Sequence, residues 1–135
     1  MHNESRPSHR RWTITGRVLS GIAILFLAMD MGMKFAVLQP VIDTHAQLGW
    51  PSDPGTVRGL ATILLLATAL YAWPRTALFG AILLTGYLGG AVATHARIGS
   101  PLFTHTLFGV YIGVLLWAGL WLRDARLRAL LPLTN

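Results

Sequence analysis

Long apolar runs separated by single charged residues dominate the chain. Crossing about 30 Å of hydrocarbon takes about 20 apolar residues in a helix, with roughly 17 as the lower limit. The intervals from Arg75 to Arg97 and from Arg97 to Arg123 are free of charge and meet this requirement, and a shorter interval precedes Arg75. A fourth apolar run, near the N-terminus, contains Asp30 and Lys34. The pattern predicts four transmembrane helices, at about residues 18–38, 56–73, 76–95 and 102–122.

Turn residues between the runs support these limits. Gln39–Pro40 is expected to stop the first helix, whereas Asp53–Pro54 and Ser100–Pro101 are typical of helix starts. The connection Trp73–Thr76 is so short that the second and third helices must be antiparallel neighbours. We therefore expect an all-α fold, an antiparallel four-helix bundle. A secretory signal at residues 18–29 is the alternative for the first run, but no small-residue cleavage site follows it.

Composition places the chain in a bilayer. Of its 135 residues 53% are hydrophobic and only 12% are charged, and the mean hydropathy is +0.54. A soluble domain carries about twice that share of charge, and this length leaves no room for a separate soluble enzyme beside a membrane bundle. The absence of cysteine excludes disulfides, thiolate catalysis and iron–sulfur clusters on this chain.

The distribution of arginine predicts the orientation. Most arginines lie in the two terminal segments and at Arg75 in the short turn, so the positive-inside rule places both termini in the cytoplasm. We divide the chain into a basic cytoplasmic arm (1–15), a transmembrane domain (16–128) and a C-terminal tail (129–135). The net charge of +6 is explained by topology and by contact with anionic lipids. Nucleic acid is not expected as a partner.

Two ionisable residues interrupt the first helix. Asp30 precedes the expected helix end at Leu38 by eight residues, which corresponds to a depth of about 12 Å. Lys34 follows at i+4 on the same face, so the two side chains can form an ion pair. Ionisable groups at such depth are costly and usually serve a function. The structural alternative is that the charges of Asp30 and Lys34 only neutralise one another and the pair fixes helix packing.

Further polar residues fall at the same end of the predicted bundle. His95 and Arg97 close the third helix and His105 opens the fourth, so they are expected to form a polar lid in which the histidines can exchange protons. Their spacing matches no metal motif, and we expect no metal centre. Thr85 and Tyr87 are expected to line a cavity below the lid.

Glycine pairs four residues apart occur in the third and fourth helices. Gly86 with Gly90, and Gly109 with Gly113, form GxxxG patterns that allow close helix packing in lipid. An apolar pocket with a polar cap suits an amphipathic ligand such as a quinone or a lipid. No nucleophile elbow, phosphate-binding loop or haem motif is present in the sequence.

Three stretches resemble a known family. They are FLAMDMGMKF in the first helix, the segment that begins at Pro74 and contains GYLGGAVATHARIG, and HTLFGVY beginning at His105. The chain resembles the DoxX-like small membrane proteins over most of its length. The resemblance implies a four-helix bundle in the bacterial cytoplasmic membrane and an association with oxidoreductase complexes, because the family name derives from a subunit of a thiosulfate:quinone oxidoreductase. By position, the family-like polar residues are Asp30, Lys34, Thr85, Tyr87, His95, Arg97 and His105.

Three functional hypotheses follow. The first is a quinone- or lipid-binding membrane subunit of an oxidoreductase complex. The second is a non-catalytic transmembrane scaffold that packs against a partner membrane protein or a second copy of the chain. The third is transport of a small solute by an oligomer, which has less support because no inverted repeat or broken helix is visible in the sequence.

Overall fold

The computed structural model describes residues 6–131, and within this range every regular element is helical. The predicted all-α class is therefore confirmed. One π-helical turn, Leu102–Thr106, precedes α5. The α-helices are α1 (Arg6–Phe35), α2 (Gln39–Leu48), α3 (Pro54–Ala72), α4 (Ala77–Arg97), α5 (Phe108–Arg123) and α6 (Ala125–Leu130).

Four helical segments are long and apolar enough to cross a membrane, as predicted. They are Ser8–Phe35, Pro54–Ala72, Ala77–Arg97 and Leu102–Arg123. Large apolar side chains cover their outer faces; Leu25, for example, is 70% exposed. Such a surface is stable only in contact with lipid, so the chain is a multi-pass membrane protein.

Both ends of the predicted transmembrane domain continue as helix. Residues 6–15 of the basic arm form the first turns of α1, and α6 reaches Leu130 in the predicted tail. Trp12 stacks on Trp121 with ring centroids 6.0 Å apart, and the Arg128 guanidinium lies 5.6 Å from the centre of the Trp12 ring. Residues 1–5 of the arm and 132–135 of the tail lie outside the described residues.

The first transmembrane helix ends earlier than the sequence pattern indicated. α1 stops at Phe35, whose carbonyl accepts a hydrogen bond from Arg58 Nε at 3.3 Å. Val37 then adopts a left-handed conformation (φ 51°) that reverses the chain. Asp30 consequently lies five residues from the helix end, a distance of about 7.5 Å rather than 12 Å.

Pro40 begins a helix instead of only stopping one. It occupies the first turn of α2. Proline is tolerated there because an N–H in the first turn of a helix has no intrahelical acceptor. The expected start at Asp53–Pro54 is also present, because Asp53 accepts hydrogen bonds from the Thr56 hydroxyl at 2.7 Å and the Thr56 N–H at 2.9 Å. These bonds, the hydroxyl bond first, lower the pKa of Asp53 below its usual value. The turn after Ser100 has no side-chain cap.

The four long helices pack around a square. α1 and α4 each pack against α3 and α5, while α1 and α4 make no substantial contact with each other in the described chain. Gly16 of α1 lies against Gly119 of α5, and farther along, Phe26 of α1 meets Phe108 of α5 with ring centroids 6.0 Å apart. α1 and α4 are therefore opposite members of the bundle.

Three glycines bring helices into backbone contact at one end of the bundle. A Cβ added at Gly16 would lie 2.7 Å from the carbonyl oxygen of Gly119, and one at Gly119 would lie 2.7 Å from the backbone nitrogen of Ser20. At Gly80 of α4, an added Cβ would lie 2.6 Å from Cα of Tyr71 in α3. None of these three glycines belongs to the GxxxG pairs that the sequence analysis selected.

A buried tyrosine joins three helices next to these contacts. Tyr71 is fully buried, and its hydroxyl donates to the Leu116 carbonyl at 2.6 Å. Because the phenol has only one proton, the Ser20 hydroxyl, 2.8 Å away, must donate to Tyr71. Arg123 donates to the Tyr71 carbonyl at 3.0 Å and lies over its ring. Tyr71 thus links α1, α3 and α5.

Replacing the tyrosine hydroxyl should weaken the bundle. Tyr71→Phe leaves the buried Ser20 hydroxyl without its acceptor, and we expect the free energy of unfolding to fall by about 1–2 kcal/mol. Reversible unfolding in mixed micelles measures this change. Tyr111→Phe is the control, because Tyr111 is 44% exposed and its removal should cost less than about 0.5 kcal/mol. Equal stability of the two variants would contradict this role for Tyr71.

A single added methyl group tests the backbone contact. Gly80→Ala forces α3 and α4 apart, and we expect a loss of about 1–3 kcal/mol from overpacking. Gly59→Ala, where an added Cβ meets no atom within 4 Å, should instead gain up to about 1 kcal/mol from helix propensity. The same unfolding assay compares them, and a neutral Gly80→Ala would exclude a contact as close as described.

Candidate functional site

A cavity of about 620 Å³ opens in the half of the bundle away from Tyr71. It lies between the opposite helices α1 and α4, with Phe108, Gly109 and Ile112 of α5 forming one wall. α2 supplies further lining residues from Pro40 to Leu48. The cavity lies at the end of the bundle where α1 and α4 are apart, while the contacts of Gly16, Gly80 and Gly119 hold the helices together at the other end.

The short helix α2 covers the cavity. Its buried side chains are Val41, His45 and Leu48, spaced four and three residues apart so that they share one face. Arg97 of α4 donates from Nη2 to the Leu48 carbonyl at 2.6 Å, which fixes the C-terminal end of α2. Gly49, with φ 73°, ends the helix at that point. Arg97 therefore holds the cover in place, although it does not line the cavity itself.

Asp30 and Lys34 form the expected ion pair on the cavity wall. Lys34 Nζ donates to both carboxylate oxygens at 2.5 Å. The Lys34 side chain is 12% exposed and that of Asp30 is 38% exposed. The i, i+4 spacing on α1 brings the two groups together, so each charge is compensated locally. Among the described lining residues no other side chain carries a formal charge at neutral pH.

Two predicted histidines meet at the rim of the cavity. The rings of His95 and His105 lie 5.9 Å apart at an angle of 60°. Nδ1 of His95 is bonded to the Ser100 hydroxyl at 3.0 Å, and Nδ1 of His105 to the Thr104 hydroxyl at 2.8 Å. Both bonds use Nδ1, which leaves Nε2 of each ring as the nitrogen that can meet a ligand or exchange a proton.

Tyr87 lines the cavity, but Thr85 does not. Thr85 accepts a hydrogen bond from Trp117 Nε1 at 2.8 Å and donates to the Ala81 carbonyl at 2.7 Å. Thr85 and Tyr87 are two residues apart on α4, which corresponds to a rotation of about 200° around the helix axis. Their side chains therefore point to different faces of the helix. The expectation that Thr85 and Tyr87 share a cavity is therefore wrong for Thr85.

The selected glycines also differ in their surroundings. Gly86 and Gly90 line the cavity, and a Cβ added at either would meet no atom within 4 Å. Gly113 is equally open, whereas Gly109 lies against α4, with an added Cβ 3.1 Å from the Leu88 carbonyl oxygen. Close packing within the bundle is thus wrong for Gly86, Gly90 and Gly113, because the faces that carry them meet no helix of the bundle.

His45 of α2 is a lining residue that the sequence analysis missed. It is 5% exposed, and its Nδ1 is buried without a hydrogen-bond partner in the described residues. An unpaired buried polar atom costs stability and calls for a reason other than packing. The spacing of Val41, His45 and Leu48 between Pro40 and Gly49 would have indicated a short amphipathic helix.

The described residues contain no group of three histidine or acidic side chains that could hold a metal ion. Of the predicted site residues, Asp30, Lys34, Tyr87, His95 and His105 meet at the cavity, together with Gly86, Gly90 and Gly109. Thr85, Arg97 and Gly113 do not line it.

Comparison with known proteins agrees with this architecture. A family model described as the DoxX-like family matches residues 18–119. This segment runs from α1 to the end of the α5 wall and includes every residue of the cavity. Neither the curated proteins nor the solved structures gave a match. Since the match covers most of the chain, the protein belongs to the DoxX-like family.

Proposed function

We propose that the protein binds one small amphiphile in the cavity between α1, α4 and α5. The observation that carries this proposal is the cavity itself, whose volume of about 620 Å³ lies within the range of roughly 300–1,000 Å³ typical of small-molecule sites. Its walls are mainly apolar, and its polar groups gather towards the ends of α1 and α4. This division suits a ligand with a polar head and an apolar body.

The bundle in this proposal is antiparallel, with both termini in the cytoplasm of a bacterial inner membrane. Gly16 lies early in α1 and Gly119 late in α5, while Phe26 and Phe108 pair the later part of α1 with the start of α5. The concentration of arginine in the terminal segments supports the orientation. The polar end of the cavity then lies in the outer half of the bilayer.

A quinone is the ligand that best combines these features. A quinone ring offers carbonyl oxygens, which can accept hydrogen bonds from Tyr87 or from Nε2 of His95 and His105. The two imidazoles lie 5.9 Å apart, and an imidazole can act as a hydrogen-bond donor, an acceptor or a proton carrier. Together they suit the membrane subunit of an oxidoreductase complex, in which electrons are supplied by a partner.

The alternative of a non-catalytic scaffold has less support. It requires Gly86 and Gly90 to meet a partner helix, but both glycines face the cavity. Both glycines are exposed in the chain, so a partner helix could reach them only by entering the cavity between α1, α4 and α5.

Filling the cavity tests the proposal directly. In Gly90→Leu the new side chain enters open space, so the fold should persist while the amphiphile is displaced. We expect about one small molecule per wild-type chain after purification in mild detergent, and at least about a tenfold lower occupancy in the variant, equivalent to about 1.4 kcal/mol. Solvent extraction and mass spectrometry quantify the bound molecule.

Gly89→Leu is the matched control for this experiment. Gly89 is the neighbouring residue, an added Cβ there also meets nothing within 4 Å, and the residue does not line the cavity. Its occupancy should equal that of wild type. Equal occupancy in Gly90→Leu and Gly89→Leu would place the molecule outside the cavity and contradict the proposal.

His45 is expected to favour binding at the expense of stability. His45→Leu removes the unpaired Nδ1, and we expect the free energy of unfolding of the ligand-free protein to rise by about 1 kcal/mol. Bound amphiphile should fall in the same variant. Unfolding in mixed micelles and extraction measure the two effects, and a variant that is both less stable and fully occupied would assign His45 a purely structural role.

A further inference from the structure

The charged groups on the cavity wall cancel one another. Asp30 and Lys34 are the only lining residues with a formal charge among those the structure describes. Lys34 Nζ bonds both oxygens of Asp30 at 2.5 Å, so neither group is left to attract an ion. The nearby Arg97 and Arg58 do not line the cavity, and they donate to the carbonyls of Leu48 and Phe35.

A charged ligand head would meet no compensation in this site. Moving an ion from water into an apolar enclosure is costly unless an opposite charge pairs with it. The remaining polar side chains of the lining are hydrogen-bonding groups that are uncharged at about pH 8, namely Thr44, His45, Trp50, Tyr87, Thr94, His95 and His105. They can satisfy a hydroxyl or a carbonyl oxygen, but they do not neutralise the charge of a carboxylate or a phosphate.

We propose that the Asp30–Lys34 pair makes the cavity selective for amphiphiles with an uncharged head. This inference rests on the proposed function and narrows its ligand class. Quinones, quinols and long-chain alcohols fit the site, whereas fatty acids, alkylamines and phospholipids do not. The pair acts as a specificity determinant because breaking it would leave one uncompensated charge on the wall.

Three probes of equal chain length test the selectivity. An equimolar mixture of 1-decanol, decanoate and decylamine is equilibrated with the purified protein at pH 8, where imidazoles of ordinary pKa are neutral and both ionisable probes are charged. Bound probes are extracted and quantified, and the amount retained by Gly90→Leu is subtracted as binding outside the cavity. For wild type we expect decanol to exceed each charged probe at least about tenfold.

Charge variants should redirect the preference. Asp30→Asn leaves the Lys34 ammonium unpaired, so the ratio of decanoate to decanol should rise at least about tenfold. Lys34→Met leaves the Asp30 carboxylate unpaired and should raise the ratio of decylamine to decanol. The double variant Asp30→Asn/Lys34→Met leaves the cavity wall without a formal charge, so its preference should return to decanol. The wild-type competition needs no charge variant, so the inference stays testable if Asp30→Asn or Lys34→Met prevents folding.

The outcomes separate this inference from the proposed function. Preference of the wild type for decanoate or decylamine, or single variants with unchanged ratios, would overturn the charge selectivity while leaving a ligand site in place. Absence of any probe above the Gly90→Leu level would overturn both, because the cavity would then bind no amphiphile of this size.

Discussion

Backbone contact at Gly16, Gly80 and Gly119 is the constraint on which the rest of the bundle depends. In a bilayer, apolar side chains gain little by leaving lipid for a helix interface, so association relies on close packing and hydrogen bonds. The three glycines supply the packing at one end, and the Tyr71 hydroxyl supplies the bonds that join α1, α3 and α5. With that end fixed, the other end can separate without loss of the fold.

The end of the bundle that holds the cavity has polar links to the backbone in addition to the helix contacts of Phe108 and Gly109. Arg97 attaches α2 to α4 through the Leu48 carbonyl, and Arg58 attaches α3 to the last carbonyl of α1. These bonds place an amphipathic cover over an open space, and they leave Asp30 and Lys34 to each other. The contacts that stabilise the bundle and the cavity proposed to bind a ligand thus occupy different halves of the molecule.

Local patterns in the sequence predicted much of this arrangement. Intervals between charges gave the number of spans, and the i, i+4 spacing gave the Asp30–Lys34 pair, because both depend only on neighbouring residues. Which way a face points depends on the other helices. The GxxxG pattern at Gly86 and Gly90 indicates a helix face of small residues but not what lies against it. A close α1–α5 contact instead joins a glycine and a serine four residues apart, Gly16 and Ser20, to Gly119. The helix that carries His45 was missed although its local spacing indicated it, and the positive φ at Val37 could not be foreseen because a β-branched residue rarely adopts it.

The uninterrupted course of α1 gives a measure of depth within the bilayer. Trp12, stacked on Trp121 beside Arg128, has the position of an interfacial aromatic residue. Along the membrane normal, about 30 Å of hydrocarbon spans about 20 residues of helix, which leads from Trp12 to Gly32. Asp30 and Lys34 lie on either side of that level. The ion pair therefore lies close to the boundary between acyl chains and headgroups, the level at which the polar head of a lipid-soluble molecule in the same leaflet would lie.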